Sequence, residues 1–292
     1  MKSGSSVALG TFDGLHKGHM KVLESALSSS GDGVVPFVLL FDCHPQKILS
    51  GAEPPCIMTD SDRNDFLREM GFQIKTVSFE ELHNMSPEDF VIDILHDRLF
   101  AKTVCFGYNY RFGKGGCGDS KELSRLCKKY GIETVICDEQ TVDGEPVSST
   151  LIRKLISNGD IKKAEKLLGR PFSYTLEVIH GQQKGRLLGF PTANQIFPEN
   201  FAIPKYGVYS SKTTIDGKIF KSITNIGIRP TITDDTLLSE THIIGFNDEI
   251  YDREVSVRLR KYIREEKKFS DEKELAKAIR KDIKFITKEK EK

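Results

Sequence analysis

Apolar positions along the chain fall into two regimes. In the first half, β-rich runs at 7–9 and 34–41 alternate with helical spacing at 20–27 and 62–70, followed by a strand at 77–79. The alternation continues through 87–95, 103–106, 121–130 and 134–137. Strands alternating with helices predict a parallel sheet covered by helices. A helical stretch at 150–168, interrupted at Ser157, Asn158 and Gly159, leads the chain out of that domain. Beyond it lie short strand-like runs at 175–180, 208–215, 219–225, 241–246 and 254–259, with Asp216-Gly217 as a hairpin turn. Several short strands within about 90 residues favour a small barrel. Asp271 followed by Glu274 marks the start of a last helix, whose Leu275, Ile279, Ile283 and Ile286 form one apolar face to pack on the barrel.

The 292 residues fit two domains at roughly 150 residues each, with the division expected at 169/170. Apolar content of 38% and charged content of 29% describe a globular protein, and no run nears the ~18 apolar residues of a membrane span. Residues 1–6 lack the basic and apolar regions of a signal peptide, which predicts a cytoplasmic protein. A net charge of +1 gives no electrostatic footprint for nucleic acid, and the lysine-rich 281–292 reads as a solvated helix and tail. The six cysteines lie in the first half without a C-x-x-C pair, so reduced structural thiols are expected.

Candidate chemistry sits in two places. The first run is Gly10-Thr11-Phe12-Asp13-Gly14-Leu15-His16-Lys17-Gly18-His19, between the first strand and the first helix. Such a turn aims backbone N–H groups and the positive end of a helix at a phosphate. His16 and His19 can donate to a triphosphate and stabilise the charge on departing pyrophosphate. A lone histidine here would be an ordinary helix cap; the whole run points to nucleotide chemistry. A competing G-x-G-x-x-G spans Gly113 to Gly118, but its loop is too long for the tight turn of a dinucleotide fingerprint.

The run 10–19 resembles the G-x-F-D-G-x-H-x-G-H motif of nucleotidyltransferases, in the form found in bacterial FAD synthetases. Gly107-Tyr108-Asn109-Tyr110-Arg111-Phe112-Gly113 resembles that family's substrate loop, and Val147-Ser148-Ser149-Thr150-Leu151-Ile152-Arg153 its S-S-T-x-I-R motif. His44-Pro45 falls where the family has a His-Pro near substrate. The resemblance implies ATP and flavin contacts from Gly10, Phe12, Asp13, Gly14, Gly18, Asn109, Ser149, Thr150 and Arg153, with His16 and His19 catalytic.

The second run is Gly181-Gln182-Gln183-Lys184-Gly185-Arg186-Leu187-Leu188-Gly189-Phe190-Pro191-Thr192-Ala193-Asn194. Its glycines allow close approach to phosphates, Lys184 or Arg186 can offset their charge, and Thr192 and Asn194 share one side of an extended segment. A hydroxyl and an amide oxygen so placed suit Mg²⁺. The same string alone could be a hairpin with a polar edge. It resembles the G-R-x-x-G-F-P-T-A-N motif of riboflavin kinases, as do Pro204 to Tyr209, Asn225 to Thr231, Glu240-Thr241-His242, Tyr251 and Arg264 to Phe269.

Together the motifs resemble prokaryotic bifunctional riboflavin kinase/FMN adenylyltransferases. The resemblance implies an open parallel α/β, Rossmann-like nucleotidyltransferase domain followed by an antiparallel β-barrel kinase domain with a C-terminal helix. It implies Mg²⁺ at Thr192 and Asn194, Glu240 as general base toward the riboflavin 5′-hydroxyl, and ATP or flavin contacts from Gly185, Arg186, Gly189, Pro191 and Arg264. The expected partners are the small molecules ATP, riboflavin and FMN, with FAD as product. Gly245 and Leu176 depart from residues common in the family, which bears on flavin-loop packing rather than on ligands or base. Two other readings are a nucleotidyltransferase of different specificity and a flavin-binding regulator without catalysis; a mere binder would need neither the histidine pair nor Glu240.

Overall fold

Five strands of the first half pair side by side in the order β3-β2-β1-β4-β5, all parallel: β1 (Gly4–Leu9), β2 (Val34–Phe41), β3 (Gln73–Val77), β4 (Ala101–Gly107) and β5 (Glu133–Cys137). The computed structural model describes residues 4–181, 184–230, 235–267 and 269–288. Gln182, Gln183, Thr231, Lys268 and the end of the lysine-rich tail, named above, lie outside them. Strands β1 and β4 carry side chains buried on both faces, Val7 and Val104 on one and Ala8 and Cys105 on the other, as expected of a sheet covered by helices. The strand order reverses between β1 and β4, so their carboxyl ends frame the crevice where open α/β sheets bind ligands.

The strand expected at 77–79 is displaced. Strand β3 runs earlier, at an edge where Gln73, Lys75 and Thr76 are exposed and leave no apolar run to read. Phe79 instead opens a helix, Phe79–Asn84, because the Asp42 carboxylate accepts the Phe79 N–H at 2.9 Å. That bond holds the Asp42 carboxyl below its ordinary range. A small hairpin, β6 (Thr141–Val142) with β7 (Glu145–Pro146), turns on Asp143-Gly144 with both φ positive, 52° and 82°.

The second half forms a six-stranded antiparallel sheet in the order β8-β13-β10-β11-β12-β9. Its strands are β8 (Ser173–Glu177), β9 (Ala193–Ile196), β10 (Gly207–Ile215), β11 (Lys218–Pro230), β12 (Asp235–Ile243) and β13 (Glu254–Arg264). Ile179 donates to the Asn194 carbonyl at 2.8 Å, which ties the end of β8 to β9 and nearly closes the barrel. Strand β12 lies earlier than the expected 241–246, because Gly245 at φ 78° turns the chain out of the sheet. Much of the interior is polar: Ser211 bonds Ser222 and Thr224 at 2.7 and 2.8 Å, and Thr224 bonds Thr241 at 2.9 Å. Each hydroxyl can donate once and accept twice, so this chain satisfies groups that would otherwise be costly to bury.

The last helix, Glu272–Lys288, starts where Asp271 Oδ1 accepts the Glu274 N–H at 2.8 Å. Its Ile286 is buried against Val208 and Ile223, with Ile283 beside them, so the helix packs on the barrel wall. The chain divides into two compact units, one of 1–56 with 60–149, the other of 57–59 with 150–292. The helix Ile161–Leu168 accordingly belongs with the barrel. Its Ile161, Ala164, Leu167 and Leu168 are buried, and its Glu165 lies 3.5 Å from Arg258 of β13.

Candidate active sites

The first site grows from a strained turn. After Leu9 the chain reverses through Phe12, Gly14 and Leu15 at φ 53°, 76° and 43°. Positive φ at two bulky residues costs on the order of 1–3 kcal/mol each, and persists only where the surroundings over-determine it. Here both side chains are fully buried, with 0% exposure, so the core holds the turn in place. Ser149 adds a second restraint by donating to the Asp13 carbonyl at 3.0 Å.

The turn delivers His16 to the N-cap of the helix Lys17–Ser28. Its Nδ1 accepts the His19 N–H at 3.2 Å, so neutral His16 carries its proton on Nε2. His19, one turn on, stacks on His16 and meets the edge of Phe12 at 5.3 Å between centroids. Gly18 permits this, since a Cβ there would come 3.1 Å from the His16 ring.

These residues line a cavity of about 540 Å³. Of the residues named from the motifs, Gly10, Phe12, His16, Gly18, His19, Asn109 and Ser149 line it, whereas Asp13 and Gly14 shape the turn without lining it. Thr150 and Arg153 fall in the second compact unit. His44 caps the helix Pro45–Ser50, accepting the Gln46 N–H at 3.2 Å, and Pro45 lines the cavity. The pattern of the sequence does not reveal the aromatic wall at one end, Phe41, Phe79, Phe90 and Phe112, because it gathers from four separate elements. Burial pushes the Tyr110 hydroxyl of the same wall up, while the Glu139 carboxylate, hydrogen-bonded to Tyr108, raises that tyrosine.

The geometry removes the dinucleotide reading of Gly113 to Gly118. Phe112 and Gly118 exchange backbone bonds at 3.1 and 3.0 Å, and a Cβ on Gly118 would strike the Phe112 ring. The helix that follows, Ser120–Lys129, is capped by Asp119, whose carboxylate accepts the Glu122 N–H at 2.9 Å. That bond lowers the Asp119 carboxyl, and a carboxylate already seated at the helix start repels a pyrophosphate.

The second site lies in the barrel unit, around a cavity of about 270 Å³ lined by Arg186, Pro191, Thr192 and Asn194. Gly185 and Gly189 shape its approach without lining it: Phe190 donates to the Gly185 carbonyl at 2.7 Å, where a Cβ on Gly185 would clash with Phe190. Asn194 is only 5% exposed; its Nδ2 donates to the Thr192 carbonyl at 3.2 Å, and its Oδ1 is buried without a hydrogen-bond partner among the described residues. A buried oxygen acceptor in a cavity that Thr192 also lines fits a Mg²⁺ ion, which favours oxygen ligands and completes its shell with phosphates.

Glu240 does not line that cavity. It stands one strand over, the registered partner of Asn194 on β9 and of Asn225 on β11, and its carboxylate is ion-paired with Arg229. Glu266 accepts from Asn225 Nδ2 at 2.8 Å and helps line an open groove of about 530 Å³ with Lys205 and Tyr206. Arg264 is committed elsewhere: its Nε and Nη2 reach Asp282 Oδ2 at 3.1 and 2.9 Å, tying the last helix to β13.

A parallel α/β unit with a histidine-bearing turn at its switch point, joined to a barrel with its own polar-lined cavity, fits a two-site nucleotide-using enzyme. Comparison with known proteins gives the class its name. A family model for FAD synthetase matches residues 1–151 and one for riboflavin kinase matches 168–289. The bifunctional riboflavin kinase/FMN adenylyltransferase of Listeria monocytogenes is 35% identical over 94% of this chain and 89% of its own. Those of Bacillus subtilis and Escherichia coli K12 are 33% and 30% identical over 95% and 96% of this chain, and over 90% and 91% of their own. A crystal structure of a macrolide-efflux protein from Streptococcus pneumoniae has a TM-score of 0.87 at 26% identity, covering 99% of this chain and 96% of that one. Among the described residues no helix is long and apolar enough to cross a membrane. The chain belongs to the bifunctional riboflavin kinase/FMN adenylyltransferase family.

Proposed function

We propose that the two cavities carry the two reactions of the family in succession, with the residue roles given below. As a member of this family the chain is an enzyme of flavin-cofactor biosynthesis: with ATP it phosphorylates riboflavin to FMN through its C-terminal part and adenylylates FMN to FAD, releasing pyrophosphate, through its N-terminal part. The observation that carries the division of roles is the position of Glu240. One registered neighbour, Asn194, lines the 270 Å³ cavity; the other, Asn225, bonds Glu266 of the open groove.

In the kinase reaction ATP takes the smaller cavity and riboflavin the groove. Glu240 accepts the 5′-hydroxyl proton as that oxygen attacks the γ-phosphorus and ADP leaves, a task for which base catalysis contributes about 100- to 10,000-fold. Arg229 pairs with the carboxylate until substrate displaces it. Thr192 and Asn194 would hold Mg²⁺, which would supply charge neutralisation at the phosphates. Gly185 and Gly189 let the backbone approach the phosphates, Pro191 fixes the strand that follows, and Arg186 offsets charge at the rim. Arg264 acts through the helix it anchors.

In the adenylylation, the FMN phosphate attacks the α-phosphorus of ATP and pyrophosphate leaves. Gly10, Phe12, Asp13 and Gly14 shape the turn that receives the triphosphate, Gly18 opens the helix start, and His16 and His19 stabilise the departing charge. The aromatic wall takes the isoalloxazine with Asn109 beside it, while Ser149 closes on the nucleotide. The chain works in the cytoplasm, on small molecules. Incubation of purified protein with riboflavin and Mg²⁺-ATP, followed by chromatography, should show FMN rising before FAD; a flavin pool that stays riboflavin refutes the kinase role, and supplied FMN that yields no FAD refutes the other.

A further inference from the structure

We infer that Asn225 is a riboflavin-binding residue of the kinase reaction, its Oδ1 accepting a hydrogen bond from a secondary hydroxyl of the ribityl chain. The inference rests on the kinase reading above. Asn225, Glu240 and Asn194 are consecutive partners across β11, β12 and β9, so their side chains share one face of the barrel wall. Directly opposed residues of antiparallel strands have Cβ atoms about 4.5–5.5 Å apart.

The two asparagines are alike in their unmet need. Asn225 Nδ2 is spent on Glu266 at 2.8 Å and Asn194 Nδ2 on the Thr192 carbonyl at 3.2 Å. Each Oδ1 is then left buried without a hydrogen-bond partner among the described residues. An amide oxygen desolvated in this way costs stability unless something donates to it. Asn194 faces the nucleotide cavity, where a cation and phosphates answer that need. Asn225 bonds Glu266, which lines the groove, and there a neutral polyol can supply the donor. Riboflavin brings a row of hydroxyls ending in the one that reacts. With one secondary hydroxyl on Asn225 Oδ1, the terminal hydroxyl falls toward Glu240.

Glu266 is a positioning residue in this arrangement, since its carboxylate fixes which way the amide points. Gly227, two residues along β11, makes room for it: a Cβ there would collide with the Glu266 carboxylate.

The test uses the full chain and compares Asn225→Ala and Gly227→Ala with the unaltered protein on riboflavin and on its 3′- and 4′-deoxy analogues. Asn225→Ala should raise KM for riboflavin about tenfold or more, leave conversion of supplied FMN to FAD unchanged, and have no further effect on the one analogue that lacks the bonded hydroxyl. Gly227→Ala, which keeps the asparagine but displaces Glu266, should raise the same KM in part. Riboflavin kinetics unchanged in Asn225→Ala overturn the inference, as does an equal loss on riboflavin and on both analogues. Failure of the unaltered protein to phosphorylate riboflavin would instead remove the kinase reading itself.

Discussion

The rings of His16 and His19 stack with centroids 3.7 Å apart and planes 12° from parallel. The pair forms because His16 is the N-cap and His19 the third helical residue, so the backbone bond that caps the helix also brings the rings together. One histidine therefore has a structural duty that the other lacks.

His19→Ala should leave riboflavin phosphorylation intact and make FMN accumulate, since loss of one preorganised charge stabiliser costs about 100- to 1,000-fold in rate. His16→Ala should impair the same step and also destabilise the N-terminal unit by about 1 kcal/mol, the usual worth of a cap. Rates with supplied FMN, together with thermal unfolding of both variants, check the pair. Normal FAD output from His19→Ala removes its role.

Glu240→Gln keeps the size of the side chain but cannot take a proton. FMN formation should fall by about 100-fold or more, with conversion of supplied FMN to FAD near normal. Assays of the two steps on one preparation separate the cases. If both fall together the substitution has damaged the fold, and an unchanged kinase rate assigns the proton to another group.

Arg264→Ala should loosen the last helix. Asp282 is 6% exposed and its Oδ2 takes both Arg264 bonds, so truncation leaves a buried carboxylate uncompensated at a cost of about 2–3 kcal/mol. Chemical denaturation followed by circular dichroism measures this. Stability equal to the unaltered protein, with a large rise in KM for riboflavin, would return Arg264 to direct flavin contact.

Local chemistry was legible in the sequence where function sits on a turn. The run Gly10 to His19 and the run Gly185 to Asn194 each encode a turn, its glycines and its polar groups within fifteen residues, and the cavities form around them. What the chain assembles across distance was not legible. The wall of Phe41, Phe79, Phe90 and Phe112 and the row Asn225, Glu240 and Asn194 depend on sheet order and register, which one strand's pattern does not carry. Strand β3 escaped for a different reason, since an exposed edge needs no apolar alternation.

The domain division at 169/170 can be tested against the compact units, which part at 149/150. The helix Ile161–Leu168 buries four apolar residues, and Lys205 donates to the Ile156 carbonyl at 3.2 Å. A fragment beginning at Thr150 should therefore phosphorylate riboflavin and melt higher than one beginning at Gly169. Equal melting temperatures would return the boundary to Gly169.

The central claim is that one chain cuts ATP at two different bonds. The direct measurement supplies riboflavin with ATP labelled in parallel at the γ- or the α-phosphorus and follows each label into separated flavins. The γ-label should appear in FMN and persist in FAD, while the α-label should appear in FAD alone and the remaining β- and γ-phosphates of the second ATP leave as pyrophosphate. An α-label absent from every flavin, or a γ-label never found in FMN, contradicts the account.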